Sequence, residues 1–414
     1  MMTIDDLEYG IDNYGTPLYV FDLDEIAEIA VRLRKKTEGL AQICFAMKAN
    51  PFLVRQMAEI ADRIEVCSMG EYEICLEREV PPGKMLISGV LKERKDLERI
   101  LKEQKGACIY SVESRNQFCC IAKWCHTHKE PVRVYLRLTS GNQFGMDEQM
   151  IKDLITVRQT CPFVKIEGLH YFSGTQKRSS ETFRKELRRI DQLLCEIEKE
   201  YGMTIPDLEY GPGIEMPYFE GQADKRAEDL DVLCTTIREM KWKGRVTLEM
   251  GRYLAAPAGY YLTGVRDIKR NHQKNYCIVD GGIHQLHYDG QIKGMYCPHL
   301  QVSPQREPGD LQEWTICGAL CTENDVLVKN LHMQGLKYGD VLIFHRAGAY
   351  AMTEGMALFL SHALPKAATY SKRKGWRLIR TEQPTFLWNM EWNIENIEKE
   401  SDDGNIDRSF RGNR

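Results

Sequence analysis

Four short stretches carry residue types that could do chemistry. Lys48 follows an apolar run in ICFAMKAN, and Phe172 and Thr175 lie in HYFSGTQ. Gly211, Pro212 and Gly213 spell GPG, and Glu249 precedes a glycine in LEMGRY. A lysine forms a Schiff base with a carbonyl once its pKa is lowered or it is already held covalently. Small residues and backbone N–H groups after a strand cradle a phosphate. A carboxylate can hold a ring nitrogen protonated, and an aromatic face stacks on a flat ring. Each residue also has an ordinary reading. A strand-end lysine or glutamate is commonly a solvated terminus, and GPG is commonly a tight turn.

The elements that must position them decide between these readings. From residue 40 to 252, short runs rich in Ile, Val and Leu alternate with longer amphipathic stretches. The strand candidates are QICFAM, RIEVC, MLISG, ACIYS, VRVYLRL, KIEGLHYF, DLEYG and VTLEM. KDLERILKEQ, ETFRKELRRIDQLLCEIEKE and EDLDVLCTTIREM, among the segments between them, repeat apolar residues every three to four positions, as helices packed on a sheet do. Eight such alternations over about two hundred residues predict a closed (β/α)8 TIM-type barrel, an α/β fold. An open doubly wound sheet would show the same alternation.

After residue 253 the rhythm becomes short β-like runs such as AGYYLTGVRDIKR and NYCIVDGG, which predict a C-terminal, mainly β domain. The expected division is 25–253 for the barrel, 1–24 with 254–375 for the β domain, and 376–414 for a partly disordered C-terminal extension, polar and frayed from about residue 394. TPLYVFD, before the barrel, is strand-like and fits the β domain.

Composition narrows the class. The 414 residues are 43% hydrophobic and 28% charged, with a net charge of −4. No basic stripe stands out, which argues against nucleic acid as a partner. No apolar run reaches the length of a membrane span, and the acidic MMTIDDLEYG lacks a signal-peptide core, so a cytoplasmic location is expected. The 14 cysteines form no pair of CxxC units. They read as free thiols in a reducing compartment, and no metal site is expected.

In a barrel of this type the active site lies at the C-terminal ends of the strands. Lys48 would end the first strand, Phe172 and Thr175 the sixth, GPG the seventh and Glu249 the eighth. All would then meet at one mouth, and together they describe a site for pyridoxal 5'-phosphate.

At this point the chain resembles a known family. FAMKAN, CSMGEYE, VES, QFGM, LEYGPGI, EMGRY, VDGG, CGALCTENDVL and GDVLIFHRAGAY follow the ordered signature of the fold type III pyridoxal phosphate decarboxylases, the diaminopimelate/ornithine decarboxylase-like enzymes. The resemblance runs from about Thr16 to about Pro365. It implies decarboxylation of an amino acid through an external aldimine, with Lys48 holding the cofactor. It implies that Thr175, Gly211, Gly213 and Ile214 contact the phosphate, that Glu249 faces the pyridine nitrogen, and that Phe172 stacks on the ring. Gly251 and Arg252 match a pair near the phosphate and the substrate carboxylate. Tyr350 matches a tyrosine of the second domain that reaches cofactor and substrate. Cys321 matches the cysteine that protonates the carbanion after CO₂ leaves, which in most members comes from the partner subunit. A homodimer with shared active sites is implied by the same resemblance.

Three departures bear on the substrate. Phe172 stands where the family usually has histidine, with His170 two residues earlier. The glycine loop contains Pro212, which removes one N–H. Thr322 follows Cys321, where diaminopimelate decarboxylases usually carry Glu and ornithine decarboxylases Asp, to meet a distal ammonium. Thr322 resembles the branch that acts on conjugated amino acids, attached to a carrier protein or a carboxylic acid in specialised biosynthesis. Asp325 lies in the same loop, and GQIKGMYCPH offers Lys293 and Tyr296 as substrate contacts, although Lys293 reads equally as a solvated loop residue. RLTSGNQFGM is short where relatives insert a long loop, which suits a wide entrance.

The rivals are specific. Free meso-diaminopimelate, the substrate of lysine biosynthesis, is the enzymatic alternative. A racemase needs a second base opposite Lys48, usually tyrosine, where this chain offers Cys321. A catalytically inactive regulator would have lost cofactor-binding residues, whereas Lys48, Glu249, Cys321 and Tyr350 are all present.

Overall fold

The computed structural model describes residues 2–306 and 309–391. A helix, Ile4–Tyr14, and a strand, β1 (Leu18–Asp22), come first. Eight parallel strands follow with helical segments between them: β2 (Ala41–Ala46), β3 (Arg63–Val66), β4 (Met85–Ile87), β5 (Ile109–Val112), β6 (Val132–Arg137), β7 (Val164–Phe172), β8 (Asp207–Gly211) and β9 (Arg245–Met250). β2 pairs with both β3 and β9, so the sheet closes into a barrel and the open-sheet alternative falls away. The helix Ser180–Tyr201 shows how the outer ring is made. Ser179 caps it by accepting from the Glu181 N–H, Gly202 ends it in a left-handed turn, and Phe183, Leu187, Ile190, Leu194 and Ile197 bury one stripe. Each such side chain contributes about 1.5–3 kcal/mol on burial.

Side chains alternate along each strand. Ile64, Val66, Leu208 and Leu248 join the apolar core. The alternate set, Arg63, Glu65, Arg137, His170, Asp207, Glu209, Thr247 and Glu249, is polar and equally buried. These residues reach one another across the barrel. Arg63 Nη1 donates to Glu209 Oε2 at 2.7 Å and to Thr247 Oγ1 at 3.1 Å, and Tyr135 donates its hydroxyl to Asp207 at 2.7 Å. Breaking one such buried pair costs about 3–5 kcal/mol, because the partner charge stays behind. The site therefore stands on a cross-linked floor.

The remaining strands are β10 (Gly259–Asn271), β11 (Lys274–Val279), β12 (Leu300–Ser303), β13 (Leu311–Cys317), β14 (Val326–Gln334), β15 (Val341–His345), β16 (Lys366–Ser371) and β17 (Gly375–Arg380). With β1 they form a nine-stranded mixed sheet, in which β1 lies antiparallel to β10 and parallel to β16. TPLYVFD thus contributes to the second sheet although the chain enters the barrel next.

That sheet does not stop at residue 375, where an extension was expected to begin. β17 pairs antiparallel with β16. Its Trp376 packs against Tyr14 and Tyr370, with ring centroids 5.7 and 5.4 Å apart. Basic residues mask this strand in the sequence, because its apolar partners come from the N-terminal helix and β16. The tail expected to fray from about residue 394 lies outside the described residues. Among the described residues no helix is long and apolar enough to cross a membrane.

The two units meet at the barrel mouth. The Tyr350 N–H donates to Ala49 O at 2.8 Å, and Asn50 Nδ2 donates to Gly348 O at 2.8 Å.

Candidate active site

β2 ends at Ala46, and Lys48 sits in the single 3-10 turn that follows, Met47–Ala49. The turn aims the amine across the mouth. Nζ donates to Glu65 Oε2 at 2.7 Å and to Glu249 Oε1 at 3.4 Å, and lies 5.4 Å from the centroid of Phe172. A third of the lysine side chain, 33%, remains exposed, so it is held from below and open from above. Burial works against the ammonium, but the Glu65 and Glu249 carboxylates outweigh it and hold Lys48 well above the usual amine value. Glu65, His170 and Glu249 place their ligand atoms within 4.8 Å of one another, a grouping that could hold a cation. The Lys48 ammonium fills that electrostatic role.

The loop after β3 is set by its own cap. Ser68 Oγ accepts from the Glu71 N–H at 3.2 Å, and Glu71 Oε2 accepts from the Cys67 N–H at 2.6 Å. Cys67 Sγ comes to 4.0 Å from Lys48 Nζ. Burial and the Glu65 charge keep that thiol well above its ordinary pKa, so it is a neutral neighbour.

Lys48 lines a cleft together with Phe172, Thr175, Pro212, Gly213, Ile214, Glu249, Gly251, Arg252 and Tyr350, among others. Arg252 Nε donates to Thr175 Oγ1 at 3.3 Å, Nη1 donates to Tyr218 OH at 2.6 Å, and the guanidinium lies 4.5 Å from the centroid of Tyr350. Burial raises the Tyr350 phenol to about 12 against the pull of Lys48 and Arg252, so it keeps its proton.

The cleft fits a phosphorylated pyridine aldehyde. Gly213 has φ +63°, and a Cβ there would meet Gly174 O at 2.1 Å. A Cβ on Gly211 would meet the Phe172 ring at 2.4 Å. Only glycine leaves this cradle open for a phosphate beside Thr175 and Arg252. The amine of Lys48, the carboxylate of Glu249 and the aromatic face of Phe172 line the same cleft.

Not every expected residue comes to this place. Cys321 is exposed and, with Thr322, Asp325, Lys293 and Tyr296, is absent from the cleft lining of its own chain. Asp325 is buried, and its carboxylate accepts from the Ile283 N–H at 2.9 Å and the Leu320 N–H at 2.7 Å. Those bonds shape the loop that carries Cys321. Lys293 is exposed, with φ +48°. Tyr296 packs on Phe219, with centroids 5.1 Å apart.

Sequence reasoning missed Glu65 and the role of His170. His170 Nε2 lies 3.0 Å from Glu249 Oε2. The signal was the period-two placement of polar residues in RIEVC, DLEYG and VTLEM, which marks a polar barrel interior.

Comparison with known proteins follows the same lines. The family model described as pyridoxal-dependent decarboxylase, C-terminal sheet domain, matches residues 18–348. The L-glutamyl-[BtrI acyl-carrier protein] decarboxylase of Niallia circulans is 28% identical over 401 residues, which cover 89% of this chain and 91% of that protein. The diaminopimelate decarboxylase of Methanocaldococcus jannaschii is 26% identical over 404 residues, 90% of each chain. A crystal structure of diaminopimelate decarboxylase from M. jannaschii superposes with a TM-score of 0.83 at 23% identity, covering 93% of this chain and 94% of the other, a likeness of fold.

Proposed function

This chain belongs to the pyridoxal-dependent decarboxylase family, and we propose that its substrate is a conjugated or carrier-tethered α-amino acid. The class of reaction is decarboxylation of an amino acid. Bound in the cleft, pyridoxal phosphate supplies the electron sink that lets the carboxylate leave as CO₂.

The residues divide the work. Lys48 Nζ must shed a proton before its lone pair can attack a carbonyl, and until then Glu65 Oε2 at 2.7 Å holds the ammonium in place. Glu249 holds the charge that keeps the ring nitrogen protonated. Thr175, the Gly211–Gly213 loop with Ile214, Gly251 and Arg252 hold the phosphate end, and Arg252 with Tyr350 meets the substrate. Phe172 packs on the flat ring. Cys321 supplies the proton to the α-carbon, reaching a neighbouring subunit's mouth.

The observation that carries the substrate reading is Thr322 beside Cys321, a side chain that offers no charge to a distal ammonium. Thr322 Oγ1 instead accepts from the Asn324 N–H at 3.4 Å. The likeness to a carrier-protein decarboxylase along nearly the whole chain supports the same reading. A homodimer fits an exposed apolar surface on Met356, Leu358, Phe359, Phe386, Trp388 and Met390. Its two segments are joined where Asn389 Nδ2 donates to Leu358 O at 2.7 Å. Fourteen free thiols fit the reducing cytoplasm.

The experiment is a direct comparison. Glutamate thioester-linked to a phosphopantetheinylated carrier protein and free meso-diaminopimelate are offered to the holoenzyme, and products are weighed by mass spectrometry. Loss of CO₂ from the tethered amino acid at the higher kcat/KM is expected. Faster turnover of free diaminopimelate overturns the substrate reading and leaves the decarboxylase class standing.

A further inference from the structure

The central carboxylate of the site is gripped from behind. His170 on β7 is fully buried. Its Nε2 lies 3.0 Å from Glu249 Oε2, and its Nδ1 lies 2.8 Å from Ser111 Oγ on β5. The other carboxylate oxygen, Oε1, is the one that receives Lys48 Nζ at 3.4 Å. One oxygen of Glu249 is therefore tied into the barrel interior, and the other is presented to the mouth.

The direction of the chain follows from charge. Burial pushes the His170 imidazole down to about 3, Arg137 and Lys48 press the same way, and Glu65 and Glu113 oppose them. The ring is neutral at ordinary pH and has one N–H to give. An ionised carboxylate can only accept, so that proton sits on Nε2. Nδ1 is then the acceptor for the Ser111 hydroxyl.

We propose that Ser111 and His170 form a positioning relay for Glu249. The relay keeps Oε2 occupied and leaves Oε1, held in place, to receive the proton-bearing pyridine nitrogen of pyridoxal phosphate. It rests on the cofactor reading of the site and is independent of the substrate. The same two bonds satisfy both polar atoms of a fully buried imidazole, which would otherwise cost stability.

The test uses holoenzyme loaded with pyridoxal phosphate labelled with ¹⁵N in the ring, in wild type, His170→Gln and His170→Asn. A glutamine amide can reach Glu249 from the place of Nε2, and the shorter asparagine reaches only towards Ser111. The ¹⁵N shift reports whether the ring nitrogen is protonated, and kcat and KM are measured beside it. Wild type and His170→Gln should show a protonated nitrogen. His170→Asn should lose it, with kcat down about 10–100-fold, the size of effect that outer partners of ligating side chains carry at metal sites, and with KM little changed. Equal behaviour of the two variants, or a protonated nitrogen in His170→Asn, overturns the relay. Ser111→Ala, a smaller change, should move the ¹⁵N signal the same way, because Nδ1 then loses the donor that polarises the imidazole and holds its ring in line with Glu249. An unmoved signal there also overturns it. A wild-type protein that takes up no cofactor would sink the cofactor reading itself, whereas losses confined to the variants bear on the relay alone.

Discussion

At the scale of single residues, the site is an ammonium set between two carboxylates. Lys48 and Glu249 stand out in the sequence because each breaks an apolar run at a strand end. Glu65 does not, because one glutamate in RIEVC looks like any solvent-facing strand position until the barrel closes around it. Two substitutions separate the expected roles. Lys48→Ala should lose the visible absorption band of the lysine-bound cofactor, together with activity. Cys321→Ala should keep the band, while product formation falls about 10²–10⁴-fold, the usual worth of a positioned proton donor. Absorbance spectra and initial rates on the two purified proteins check both. A Cys321→Ala protein with unchanged turnover would remove that thiol from the reaction.

At the scale of elements, the barrel strands do two jobs. Their outer residues pack on helices, and their inner residues build a charged layer under the site. Glu209 on β8 belongs to that layer. Burial lifts its carboxyl to about 7, against the pull of Arg63 at 2.7 Å. An unfolded glutamate titrates near about 4.3. The folded state therefore binds the Glu209 proton more tightly. Its contribution to stability is complete below the unfolded value and is lost as pH rises through 7. Thermal melts of wild type and Glu209→Gln across pH 5 to 8 should diverge, with the wild type losing more stability towards pH 8. Parallel curves would contradict the shift. The loop that carries Cys321 makes the complementary point. Asp325 stands in CTENDVL as a candidate substrate contact, and in the fold its carboxylate accepts from two backbone N–H groups. Short polar loops need such internal acceptors, because their amides have no ladder to join.

At the scale of the whole molecule, the β unit meets the barrel mouth through Tyr350, while Cys321 on the same unit is exposed and absent from the lining of its own chain's cleft. On the proposed reading, a second subunit supplies Cys321 to the site. Mixing Lys48→Ala with Cys321→Ala protein under conditions that allow subunit exchange should restore part of the lost activity, since one of the two sites in a mixed dimer carries both intact residues. No recovery, with exchange confirmed by mass, would argue for sites built within one subunit.

The amino-acid sequence by itself determined the succession of strands and helix stripes, the motifs that carry the lysine and the glycines, and the family. These are local signals: periodicity over a few residues and motifs that keep their order along the chain. Only the tertiary structure decided which buried polar residues share a site. Lys48 meets Glu65 across 17 positions and Glu249 across 201, and His170 meets Ser111 across 59 and Glu249 across 79. Such meetings depend on how eight strands are sheared as they close. A shift of one residue in any of them would turn its polar set out towards the helices.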